Sequence, residues 1–104
     1  MSGRWAAIFD DKPGAVDIRD RNADDHVAFL NRHKGKIVDA GSLREAPGAT
    51  PVGGLWVFEN VSRDEAEAIL KTDPFFVNQL RSGYRLLFWG VAPGFEKPAA
   101  GGQN

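Results

Sequence analysis

Short apolar runs alternate with amphipathic ones along this chain. Arg4 to Asp10 (RWAAIFD) reads as a strand, with Trp5, Ala7 and Phe9 facing one way and Ala6 and Ile8 the other. The turn cluster Asp10-Asp11-Lys12-Pro13-Gly14 ends it. Ala15 to Asp20 fits a loop or the entry to a helix. Asn22 or Asp24 is the expected cap of a helix running to about Lys34, with Ala23, Val27 and Leu30 as its core face. Phe29 widens that face, His26 sits at its border, and Gly35 is the stop. Lys36 to Leu43 reads as a second strand, Arg44 to Pro51 as a loop and Val52 to Glu59 as a third strand. Gly53 and Gly54 within it allow a bulge, a sheet bend or a close approach by a ligand or another backbone. Ser62-Arg63-Asp64-Glu65 is a capping box opening a helix to about Lys71 or Thr72. Pro74 to Leu80 fits a short extra helix, broken by Ser82-Gly83. Tyr84 to Val91 is the fourth strand, and a domain over residues 1–92 leaves 93–104, rich in Gly, Pro and Ala, as a flexible tail.

The order β-α-β-β-α-β predicts an α+β protein of the ferredoxin-like type, a four-stranded antiparallel sheet with both helices on one face. Strands one, three and four are apolar on both faces, whereas two helices cover only one. The excess predicts a homodimer in which a second copy packs sheet against sheet, giving a dimeric α+β barrel. A shifted register or a ligand cavity lined by the aromatics is the other explanation.

Composition narrows the functional classes. Thirteen basic residues against fourteen acidic ones, interspersed, argue against nucleic acid and membrane surfaces as partners. The absence of cysteine excludes disulfides and thiolate chemistry. No apolar run suits a membrane span or a signal peptide, so a cytoplasmic location is expected. Nucleophile-serine, phosphate-loop and dinucleotide motifs are missing, and no cofactor is expected.

His26 and His33 lie on one predicted helix about 10 Å apart along its axis, too far to share a metal. No metal site is expected. His26 is the best general acid/base in the chain, because histidine ordinarily titrates near physiological pH. A hydrogen-bonded residue at the core edge is the plainer reading. Asp73 falls on the apolar stripe of Ala66, Ile69 and Leu70, where a carboxylate is costly unless capped or paired. Two readings stand, and they are compatible. Asp73 caps a short helix that has Pro74 at its first position, or it points into a cavity and orients His26. Arg19, Arg21, Arg44, Arg81 and Arg85 are candidates for binding an anionic substrate, each with a solvated surface role as the alternative.

Five segments together resemble the YciI-like (YCII-related) family over roughly residues 4 to 90. They are Asp11-Lys12-Pro13-Gly14-Ala15; Arg19, seven residues before the histidine; His26-Val27-Ala28-Phe29-Leu30; Ala40-Gly41-Ser42-Leu43; and Asp73-Pro74-Phe75. The resemblance implies a dimeric α+β barrel and a histidine–aspartate active site, here His26 and Asp73. One characterised member type removes chloride from a chlorinated hydroxyhydroquinone. The chain departs from the pattern at Ala23, where an arginine is common, at Ser42 for proline, and at Phe88-Trp89. Arg21 is a candidate to replace the lost arginine. The expected function is proton-transfer catalysis on a small cyclic or aromatic compound by elimination, isomerisation or dehalogenation. In it His26 is the base or acid, Asp73 its orienting partner, and Arg19 the contact to substrate. The alternative is a non-catalytic dimer that binds a small ligand or assists another enzyme.

Overall fold

In the computed structural model, which describes residues 4–95, the element order is the expected one. The elements are β1 (Arg4–Asp11), α1 (Val16–Arg32), β2 (Ile37–Leu43), β3 (Gly53–Glu59), α2 (Arg63–Leu70), α3 (Pro74–Val77) and β4 (Arg81–Trp89). The strands form one antiparallel sheet in the order β2-β3-β1-β4. Most of the expected 93–104 tail lies outside the described residues.

Directly paired residues share a face of an antiparallel sheet. Ala7 therefore lines up with Trp56 and Leu86, and Phe9 with Gly54 and Tyr84. This face takes the helices: Phe29 of α1 packs on Trp56, and Phe76 of α3 meets Tyr84 edge-on. The core between them is Ala7, Phe9, Phe29, Trp56, Phe58 and Leu70 with their neighbours. The other face carries Ala6, Ile8, Leu55, Val57, Leu87 and Trp89, and no helix covers it. Among the described residues no helix is long and apolar enough to cross a membrane.

The capping box forms as read: the Ser62 side chain accepts a hydrogen bond from the Glu65 amide, 3.1 Å. Tyr84 donates to Glu67 Oε2 at 2.5 Å and ties α2 to β4. That bond lowers the Glu67 carboxyl below the usual range and raises the Tyr84 phenol above it.

Three local expectations are corrected. Helix α1 begins at Val16, and Asn22 and Asp24 lie inside it rather than at its cap. Its N-cap position is Ala15, which offers no side-chain acceptor, so no capping signal marked the start. Its inward face carries the buried Phe29 and the half-buried Ile18, Asn22, Ala23, His26 and Leu30, so Ala23 and Leu30 lie on it as expected while Val27 is exposed. His26 thus sits on the centre line of that face, not at its border. Ser82-Gly83 lies within β4, and the chain turns earlier, at Gln79, whose φ of 65° is left-handed. Glutamine is an uncommon residue for that conformation and gave no warning.

Gly53 and Gly54 mark close approach rather than a bulge. Their pairing with β1 is continuous, and the register shifts fall at Asp10/Asp11 and Ile37/Asp39. A Cβ on Gly53 would lie 2.1 Å from the Phe9 carbonyl oxygen. One on Gly54 would lie 3.3 Å from an Arg81 guanidinium nitrogen. Gly53→Ala must therefore move backbone in the central strands, and we expect it to cost on the order of 2 kcal/mol or more. Urea unfolding measures this, and an unchanged midpoint would contradict the packing described.

Candidate active site

The site forms where α1, the junction of α2 and α3, the end of β1 and the start of β4 meet. The i, i+4 spacing of α1 places Asn22 and His26 one above the other on the side facing α3. Asn78, just after α3, donates to Asn22 Oδ1 at 3.0 Å and holds the two helices together. One turn along, His26 Nδ1 lies 2.7 Å from Asp73 Oδ1. Asp73 occupies the N-cap position of α3, and Pro74 follows at the first helical position. Its side chain makes no capping hydrogen bond. The residue has the backbone of a cap, and its carboxylate is directed to His26.

The environment of the pair is closed on one side. Asp73 is fully buried, while the His26 side chain keeps 13% of its surface exposed. The imidazole stacks on Phe75 at 3.9 Å between centroids and 15° between planes, with Trp56 at 6.0 Å. An ionised carboxylate only accepts hydrogen bonds, so Nδ1 carries the proton and Nε2 is the ring atom left for a ligand.

On the far end of this aromatic layer lies a second polar cluster. Asp11, at the end of β1, is gripped by two arginines. Arg19 Nη2 donates to its Oδ2 at 2.7 Å and Arg81 Nη1 to its Oδ1 at 2.7 Å. Arg19 also reaches the Gly53 carbonyl oxygen at 3.3 Å. Both guanidinium groups lie over Phe75, at 5.0 Å for Arg19 and 5.2 Å for Arg81. Gly54 leaves the room that Arg81 occupies. Burial pushes the Arg81 guanidinium down from its usual value, and the negative charges of Asp11 and Asp73 oppose that shift. Two buried atoms lack a hydrogen-bond partner among the described residues, Asp73 Oδ2 and Arg81 Nε.

Of the five candidate arginines only Arg19 and Arg81 converge here. Arg21 and Arg85 are exposed, and Arg44 is bonded to Ser42 and the Ala49 carbonyl within its own loop. His33 caps the end of α1, with Nδ1 3.0 Å from the Phe29 carbonyl oxygen, and takes no part. Asp11 was read as part of a turn and of a family segment, with no role assigned to its carboxylate. The signal for its role was the placement of two acidic residues at a strand end opposite arginines, which sequence order alone does not reveal. A groove of about 450 Å³ between α1 and β2, lined by Val27, Leu30, Lys34, Ile37 and Val38 among others, contains neither His26 nor Asp73. Among the described residues no group of three or more His, Asp or Glu is placed to hold a metal ion.

Comparison with known proteins agrees with this architecture. The 5-chloro-2-hydroxyhydroquinone dehydrochlorinase TftG from Burkholderia phenoliruptrix AC1100, solved in complex with 2,5-dihydroxybenzoquinone, superposes with a TM-score of 0.80. It is 25% identical, and the match covers 89% of this chain and 99% of that one. A NIPSNAP family protein from Agrobacterium tumefaciens C58 shares the fold at a TM-score of 0.55 and 17% identity, over 88% of each chain. SnoaB, a cofactor-independent oxygenase from Streptomyces nogalater solved in a mutant form, shares it at 0.52 and 16% identity, over 89% of this chain and 97% of its own. No curated protein sequence matches the chain. The model of the YCII-related domain matches residues 3–89, and with that match the chain belongs to the YCII-related family.

Proposed function

We propose that the protein is a small-molecule enzyme in which His26 and Asp73 carry out proton transfer on a small cyclic or aromatic compound, by elimination, isomerisation or dehalogenation. The observation that carries this reading is the 2.7 Å contact between a fully buried carboxylate and a partly exposed imidazole. A carboxylate fixed on Nδ1 orients the ring and leaves Nε2 for the substrate, the arrangement a general base needs. The likeness to a dehydrochlorinase supports the choice of chemistry.

In a dehydrohalogenation, Nε2 takes a proton from the ring carbon adjacent to the one that bears chlorine. The electron pair of the broken bond forms a new double bond within the ring, and chloride leaves with its own bonding pair. Asp73 stabilises the imidazolium, which then returns its proton to water. The balance is loss of HCl, with no oxidant required. The buried Phe75 and Trp56 rings hold the imidazole in place, and Arg19, the more exposed guanidinium at 14% against 3%, is the contact to an anionic oxygen.

The uncovered sheet face supports a homodimer as the working unit. Leu87 and Trp89 are 47% and 42% exposed, beside Ala6, Ile8 and Leu55. A second copy placed there would cover these apolar side chains.

The test is a screen of chlorinated hydroquinones and small lactones, read by chloride release and by ultraviolet absorbance. Turnover by the native protein that His26→Ala reduces by about 100-fold or more supports the reading. Turnover unchanged in His26→Ala sinks it. Saturable binding without turnover would favour a ligand-binding module.

A further inference from the structure

The two partnerless buried atoms are complementary. Asp73 Oδ2 is an acceptor on a carboxylate of zero exposure, and Arg81 Nε carries a donor on a side chain of 3% exposure. Phe75 lies between the two groups' partners: its ring is under the Arg81 guanidinium and stacks on the imidazole that Asp73 holds, and the Asp73 charge acts on Arg81. They do not bond each other directly. A buried donor and a buried acceptor left in this state are each costly, and an internal water linking them removes both penalties.

Resting on the His26–Asp73 reading above, we propose that Arg81 is a positioning residue of the site, joined to Asp73 by a buried water between Nε and Oδ2. The polar chain then runs His26, Asp73, water, Arg81, Asp11, Arg19. Its logic is charge. His26 is a counter-charge for Asp73 only while protonated, so during each cycle the buried carboxylate loses it. Arg81 is cationic throughout. It gives the buried Asp73 carboxylate a positive neighbour when His26 is neutral, and an ionised carboxylate is an acceptor that holds the imidazole in one tautomer. Asp11 in turn balances Arg81 and Arg19. The charges around His26 thus come from Asp73 before α3, Arg81 on β4, Asp11 on β1 and Arg19 on α1 itself.

The experiment is an NMR titration of the His26 ring in the native protein, Arg81→Met, Asp73→Asn and the double variant. Arg81→Met removes a positive charge from the cluster. The His26 midpoint is expected to rise by about one pH unit. In the Asp73→Asn background the same substitution is expected to move it by less than about a third of that, because the coupling passes through the carboxylate. An equal shift in both backgrounds, or none in either, overturns the proposal. If Asp73→Asn alone leaves the His26 titration unmoved, the pair itself is absent and the parent reading fails, a result separable from the first. Should Arg81→Met not fold, a high-resolution crystal structure of the native protein decides. One water within hydrogen-bond reach of both Arg81 Nε and Asp73 Oδ2 supports the proposal. A direct Arg81–Asp73 bond, or no water touching both atoms, overturns it.

Discussion

Asp73→Asn is expected to lower turnover by about 10²–10⁴-fold while the fold persists. The substitution keeps the size of the side chain and reverses its hydrogen bond. An amide in place of the carboxylate presents an N–H to His26 Nδ1, now 2.7 Å from Asp73 Oδ1. The imidazole then accepts at Nδ1 and carries its proton on Nε2, where a base must have none. The imidazolium also loses the negative charge that stabilises it. Initial rates on the substrate found by the screen, beside a circular-dichroism melt, give both readouts. A variant that melts lower but turns over at the native rate would mean that Asp73 serves the helix start alone.

The second large effect falls on stability. Asp11→Ala is expected to destabilise the protein by about 3–5 kcal/mol, the usual cost of removing one member of a buried ionic group. Two guanidinium groups now share this carboxylate, each through a 2.7 Å bond. Without it they repel, and Arg81 has almost no access to water. The loss is a large part of the roughly 5–15 kcal/mol that holds a domain together. Asp11→Asn should lose less, because an acceptor remains. Adding Arg19→Met to Asp11→Ala should recover part of the loss by relieving repulsion. Urea midpoints for the four proteins test this, and a loss below about 1 kcal/mol for Asp11→Ala would show the cluster to be solvated.

The order of elements and the sheet were legible because the strands are compact apolar runs bounded by Pro and Gly. The Ser62 to Glu65 capping box also gave one helix start unambiguously. The face of α1 was harder to read, and for a physical reason. Its buried side carries Arg19, Asn22 and His26, so the apolar period alone pointed toward Val27, which is exposed. Where a site replaces core residues with polar ones, the hydrophobic pattern rotates away from the true face. His26 and Asp73 were nameable from residue type and topology. Arg81 and Asp11 were not distinguishable from other charges, because their pairing spans residues 11 to 81 and depends on the register of β1 against β4.

The central position of β1, bonded to both β3 and β4, has a consequence for how the protein comes to work as it is made. Asp11, Arg19 and His26 leave the ribosome early, whereas Asp73 and Arg81 come from the last third of the sequence. A nascent chain that ends before Arg81 has the imidazole but lacks the closing cation, and its first strand has only one neighbour. Closure by β4 is a non-local step, which is slow and entropically costly. The ionic cluster of Asp11, Arg19 and Arg81 is therefore completed only when the last strand docks, although His26 and Asp73 both precede that strand in the chain.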